Sequence, residues 1–130
     1  MPLLKDSIVK TGNRQGLALS ETDLENYPQY TMADNGRGYV YLLEARNGLI
    51  KIGQTVNLPL RMKRHRRIWK GEFDFIIIGI IPSDDCYRLE AALHRKYAQH
   101  RETRKVKWVS SWFALSAGDV TYIKSLGGVS

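Results

Sequence analysis

Tyr39-Val40-Tyr41-Leu42-Leu43-Glu44-Ala45-Arg46-Asn47-Gly48-Leu49-Ile50-Lys51-Ile52-Gly53-Gln54-Thr55 is the stretch from which the fold is read. Tyr39 to Leu43 is aromatic, β-branched or apolar, Arg46-Asn47-Gly48 is a strong turn, and Leu49-Ile50-Lys51-Ile52 resumes a strand pattern, so the segment predicts a β-hairpin. Just beyond it, Asn57 can cap a helix whose first turn tolerates Pro59 and which runs to about Arg67. Phe73 to Ile81 is rich in isoleucine and apolar on both faces, as a central strand is, with Pro82 expected to end it. Ser83, Asp84 and Asp85 place caps and acids ahead of a helix running to about His100, with Leu89, Leu93 and Tyr97 as its buried stripe. Ser111 to Leu115 reads as a short strand, and Ser116 to Leu126 as a last helix ended by Gly127-Gly128. The predicted order is β-β-α-β-α-β-α, an α/β fold with a small mixed sheet flanked by helices.

Working back from the hairpin, residues 1–36 differ from the rest. Turn signals at Thr11-Gly12-Asn13, Gln15-Gly16 and Asn35-Gly36 accompany weak apolar periodicity. Thr22-x-x-Glu25 fits a capping box for a short helix within Ser20–Tyr27, which Pro28 stops. The chain therefore divides into an N-terminal extension, 1–36, and a main domain, 37–130.

The 130 residues are 43% apolar and 25% charged, ordinary values for one globular domain. The longest apolar run, Phe75 to Pro82, falls far short of the roughly 20 residues that span a bilayer, so a soluble protein with no membrane partner is expected. The start of the chain has no signal-like apolar stretch, and the single cysteine, Cys86, rules out an internal disulfide or a multi-cysteine zinc site. A reducing, cytoplasmic setting follows as an expectation. The net charge of +7 and pI of about 9.7 point to a polyanionic partner. Arg61, Lys63, Arg64, Arg66, Arg67 and Lys70 occur without one intervening acid, whereas a merely solvated helix face normally carries acids at helical spacing.

Taken singly, the polar residues on this map have plain explanations. Tyr41 is a sheet aromatic and Lys51 a strand lysine; Arg61 and His65, four apart, are an ordinary helix pair, and Glu90 and His94 repeat that spacing. Taken together, they match a pattern. Tyr39-Val40-Tyr41, then Lys51-Ile52-Gly53-Gln54-Thr55-x-Asn57-x-x-x-Arg61-x-x-x-His65, then Glu90-Ala91-Ala92-Leu93-His94-Arg95-Lys96-Tyr97 and Ser111-Trp112-Phe113 resemble the GIY-YIG nuclease superfamily over about residues 38–116. Lys51 stands where the second motif usually has tyrosine, as in a phage-rich clade of the superfamily. Ser111 replaces a usual acid, and no asparagine follows Asn57.

The resemblance implies an endonuclease that uses magnesium, with manganese able to substitute, to hydrolyse phosphodiester bonds to 5′-phosphate and 3′-hydroxyl ends in a bacterial or phage-infected cell. Glu90 would hold the ion, Arg61 would fork onto the scissile phosphate, and Tyr41 would orient or deprotonate the attacking water. Lys51 would either stabilise a Tyr41 phenolate or touch phosphate itself. His65 would hydrogen-bond Tyr41, relay its proton, or serve only the fold; His94 and His100 are assigned to packing or surface. Lys63, Arg64, Arg66, Arg67 and Lys70 would hold the phosphate backbone, and Trp69 and Trp108 would pack in the core or stack on bases. The expected partner is DNA, with RNA left open, for a monomer or homodimer. Two rival readings remain: a nucleic-acid-binding module of the same fold without turnover, and a component of a larger assembly docked through residues 1–36.

Overall fold

The first predicted strand, Tyr39 to Leu43, extends to Gly38–Ala45 and all eight residues of it are buried, which requires cover on both of its faces, since successive side chains point to opposite sides. The computed structural model describes residues 8–11, 14–17, 19–68, 75–102 and 112–127. Along the chain these form β1 (Ile8–Thr11), β2 (Arg14–Leu17), α1 (Glu21–Glu25), β3 (Gly38–Ala45), β4 (Ile50–Thr55), α2 (Leu58–Ile68), β5 (Phe75–Ser83), α3 (Cys86–Lys96), β6 (Trp112–Phe113) and α4 (Ala117–Ser125). From β3 onward the order is the expected β-β-α-β-α-β-α. The sheet runs β1-β2-β5-β3-β4-β6, and every pairing among the described residues is antiparallel rather than of mixed direction.

The two faces of β3 separate two cores. Tyr39, Tyr41, Leu43 and Ala45 lie with Leu24 of α1, Leu58 and Met62 of α2, Ile77 and Trp112. Val40 and Leu42 lie with Ile50, Ile52, Ile78 and Phe113 under Cys86 and Leu93 of α3 and Val120 and Ile123 of α4. A bulge in β5 opposite Leu42 and Leu43 accommodates both, because the register steps from Gly79 to Ile77 and leaves Ile78 as the extra residue. Pro82 lies inside β5 opposite Tyr39 rather than ending the strand.

Helix starts follow side-chain chemistry. Asn57 Oδ1 accepts from the Leu60 amide at 3.1 Å, Asp85 Oδ1 from Arg88 at 3.1 Å, and Ser116 and Asp119 form a reciprocal capping box on α4. On α1 the box is Ser20 with Asp23, not Thr22 with Glu25. Starting the helix at Ser20 turns Leu24 into the core, where it is 1% exposed. Burial of that leucine contributes about 2 kcal/mol, more than so short a helix supplies by itself. The extension is thereby packed on α2, and the backbone of β2 meets β5 at Leu17 and Ile77. Of the expected stripe on α3, Leu93 and Tyr97 are buried and Leu89 partly so. No helix of the described residues is long and apolar enough to cross a membrane.

Candidate active site

Tyr41 and Lys51 are both of the strand phase that faces α2: Tyr41 pairs with Gly53, and Leu43 with Lys51. The absence of a side chain at Gly53 is a packing requirement. A Cβ there would fall within the van der Waals envelope of the phenol, closest to its Cζ and Oη. The ring of Tyr41 thus lies over Gly53 of the neighbouring strand, 0% exposed.

From α2, Arg61 and His65 reach this oxygen one helical turn apart. Tyr41 Oη and His65 Nε2 are hydrogen-bonded at 2.7 Å, and the rings meet edge-on at 5.6 Å between centroids. Phe75 closes the other side of the imidazole, 6.2 Å away. Burial raises the pKa of Tyr41; the Arg61 guanidinium opposes this by its charge and by a hydrogen bond to the phenol, and the Glu90 carboxylate adds to the rise. Burial also takes His65 down to about 3, and Lys51, Arg61 and Arg64 push in the same direction. His65 is therefore a neutral imidazole. Because Arg61 can only donate, the phenol oxygen accepts from it, and the phenol proton is left to be donated to Nε2 of His65.

Glu90 reaches the same place by a different route. Strand β6 pairs only with Ile50 and Lys51, so among the described residues no strand lies along the outer side of Ile52–Thr55. Helix α3 packs over β4 from the face opposite α2, with Cys86 and Leu93 against Ile50 and Ile52. Its Cys86 lies 3.8 Å from Gln54 Oε1, and His94 Nε2 donates to the Ile52 carbonyl at 2.9 Å. Cys86, Glu90 and His94 follow at intervals of four, on one helix face, so Glu90 shares the side of α3 that meets Gln54 and Ile52 of β4. Its charge is felt at both Tyr41 and Lys51. Burial lowers the pKa of Lys51, the Glu90 carboxylate opposes that, and Arg61 adds to it.

The structure thus brings Tyr41, Lys51, Arg61, His65 and Glu90 from β3, β4, α2 and α3 into one electrostatically coupled group. Lys63, Arg64 and Arg66 are exposed on α2; the side chain of Arg67, and Lys70, Trp69, Trp108 and Ser111, lie outside the described residues. Three further contacts had no signal in the sequence. His94 fixes α3 to β4, and its Nδ1 accepts from Arg101 at 3.2 Å. Tyr39 Oη donates to the Pro28 carbonyl at 2.7 Å, tying the extension to β3. Glu44, on β3, is 0% exposed; a charged residue in a hairpin strand reads as solvent-facing until its second face is known to be covered.

Among the described residues no three histidines, cysteines or acids cluster as a ready-made metal cage. A single carboxylate suits a hard, largely hydrated ion such as magnesium, which is often held by one or two carboxylates plus substrate oxygens; Glu90 is the residue here that could hold it.

A family model described as the T5orf172 domain matches residues 38–126. No curated protein and no solved structure matches the chain.

Proposed function

The chain belongs to the T5orf172 domain family, one compatible with a nuclease-like or DNA-binding role, and from that premise we propose that it is a magnesium-dependent endonuclease of the GIY-YIG type. On this reading it hydrolyses DNA to 5′-phosphate and 3′-hydroxyl ends. The observation that supports the reading best is the meeting of Arg61, His65 and Glu90 around the phenol of Tyr41, which gives a cation, a neutral base and a carboxylate at one buried hydroxyl.

In this mechanism Arg61 forks onto the scissile phosphate and stabilises the charge that grows on its equatorial oxygens. Lys51, already held beside Glu90, contributes a second positive charge. The attacking water gives a proton to Tyr41 Oη as the phenol passes its own to His65 Nε2; the water oxygen bonds to phosphorus, and the bond to the 3′-oxygen breaks, with solvent supplying that oxygen's proton. A divalent ion held by Glu90 would supply charge neutralisation at the phosphate and leaving oxygen. Before substrate arrives, burial, and after it the charges of Lys51, Arg61 and Arg64, hold His65 neutral and a poor proton acceptor. A phosphate placed among them offsets the part due to charge, which makes His65 a better proton acceptor with substrate in place.

The test is nicking of supercoiled plasmid in magnesium and in EDTA, wild type beside Glu90→Gln. The variant is expected to bind DNA and not cut it. Undiminished magnesium-dependent nicking by Glu90→Gln removes the metal role from Glu90, and binding without nicking by the wild type favours the silent binding module.

A further inference from the structure

A concavity lies away from Tyr41, between α1 and α2. It has a volume of about 220 Å³, room for a group of roughly seven waters' volume, the scale of one nucleobase. Its floor is aliphatic: Leu24, which is buried, with Pro59 and Leu60. Lys63 and Arg66, three residues apart on the exposed side of α2, form one wall. The opposite wall comes from the extension, with Glu25 and Gln29. Gln29 Oε1 accepts from the Asn57 side-chain amide at 3.3 Å, so the NH₂ is the group Gln29 has to offer a ligand. None of Leu24, Glu25 and Gln29 falls within the stretch that matches the T5orf172 model, which starts at residue 38.

We propose that this groove binds one unstacked nucleotide of the strand that flanks the cut. The proposal rests on the nuclease reading and extends it to a substrate class: DNA with unpaired nucleotides beside a duplex. The polarity of the groove orients the occupant. Lys63 and Arg66 take the phosphate, the base lies on Leu60 and Pro59, Gln29 donates to a ring or carbonyl acceptor, and Glu25 accepts from an exocyclic amino group while repelling phosphate from its own wall. A base within a duplex cannot enter, because its faces are stacked and its edge is paired; a base in a single strand can. Leu24, Glu25 and Gln29 of the extension thereby acquire a role in substrate choice: they complete the pocket against the helix that carries Arg61 and His65.

The experiment is fluorescence anisotropy in EDTA, where no cutting occurs, with a labelled blunt duplex and the same duplex bearing a short unpaired tail. The wild type is expected to bind the tailed probe about tenfold more tightly, the effect of seating one base. Gln29→Ala and Leu60→Asp should each bring that ratio to about one; Leu60 is 51% exposed, and a thermal melt verifies that both variants fold. Equal wild-type affinity for the two probes, binding of neither, or a tenfold ratio that survives in both folded variants overturns the proposal. Failure of the nuclease reading registers elsewhere, as an absence of magnesium-dependent nicking while the tail preference persists.

Discussion

Gly53→Ala adds one methyl group at the most crowded point of the candidate site. Its Cβ would lie 2.8 Å from Tyr41 Cε1, and closer still to Cζ and Oη, where ordinary contact starts at 3.4 Å. The ring must therefore retreat by more than about half an ångström. Tyr41 is wholly buried between Gly53 on one side and α2 on the other, so the retreat compresses neighbours rather than solvent. Overpacking of this kind costs about 1–3 kcal/mol, and drawing the phenol out of its 2.7 Å bond to His65 costs about 1 kcal/mol more. At the size of this chain a total of about 2–4 kcal/mol lowers Tm by roughly 10 °C. Displacing the phenol oxygen by about an ångström should also slow nicking on the order of 100-fold. Circular-dichroism melting in EDTA and plasmid nicking in magnesium measure the two effects. Gly48→Ala is the control: Gly48 has φ of +89° and nothing within 4 Å of the added carbon, so it should lose about 1 kcal/mol from backbone strain alone and nick at the wild-type rate. A Gly53→Ala variant that melts and nicks like wild type would refute the placement of the phenol across β4.

Three further outcomes are expected. Since His65 is held at about 3 against about 6.5 in an unfolded chain, the unfolded state binds the extra proton between those values; the resulting stability is complete above about pH 6.5 and declines as pH falls toward 3. Denaturant titrations across that range should show this slope in the wild type, and a His65→Gln variant with the same slope would exclude His65 as its source. Arg61→Ala should lose on the order of 3 kcal/mol of transition-state stabilisation and push the Tyr41 pKa further up, because Arg61 is the cation that opposes burial there; spectrophotometric titration of tyrosinate tests the second effect independently of turnover. Tyr41→Phe keeps the ring over Gly53, so it should cost only about 1 kcal/mol of stability yet eliminate nicking, and a variant that still nicks would transfer water activation to another group.

The hairpin, α2, α3 and α4 were legible because each announces itself locally: alternation broken by Asn47-Gly48, Asn57 and Asp85 at helix starts, and apolar residues at helical spacing. What could not be read was pairing between distant segments. That β5 lies beside β3 with a bulge at Ile78, and that β2 adds to its far side, depends on contacts with no local signature. The cap of α1 was misplaced by two residues because Ser20-x-x-Asp23 and Thr22-x-x-Glu25 both satisfy the capping pattern; burial of Leu24 selects the first. At the candidate site, the residue types and spacings were visible, and so was the His65–Tyr41 hydrogen bond as one of three options. The sequence offered Lys51 as the cation for the phenol or for phosphate; it is Arg61 that opposes burial at the phenol, while Lys51 acts on His65. His94, assigned to packing, also anchors α3 through a backbone carbonyl, a role that spacing alone does not reveal.

The double burial of β3 has an architectural consequence. One face of this strand belongs to the apolar core beneath α3 and α4, and the other presents Tyr41 to α2. A slip of one residue would exchange the two faces, so the register that β3 shares with β4 and β5 fixes the chemistry together with the fold. A redesign that repacks either core must therefore conserve strand alignment before it conserves any single side chain.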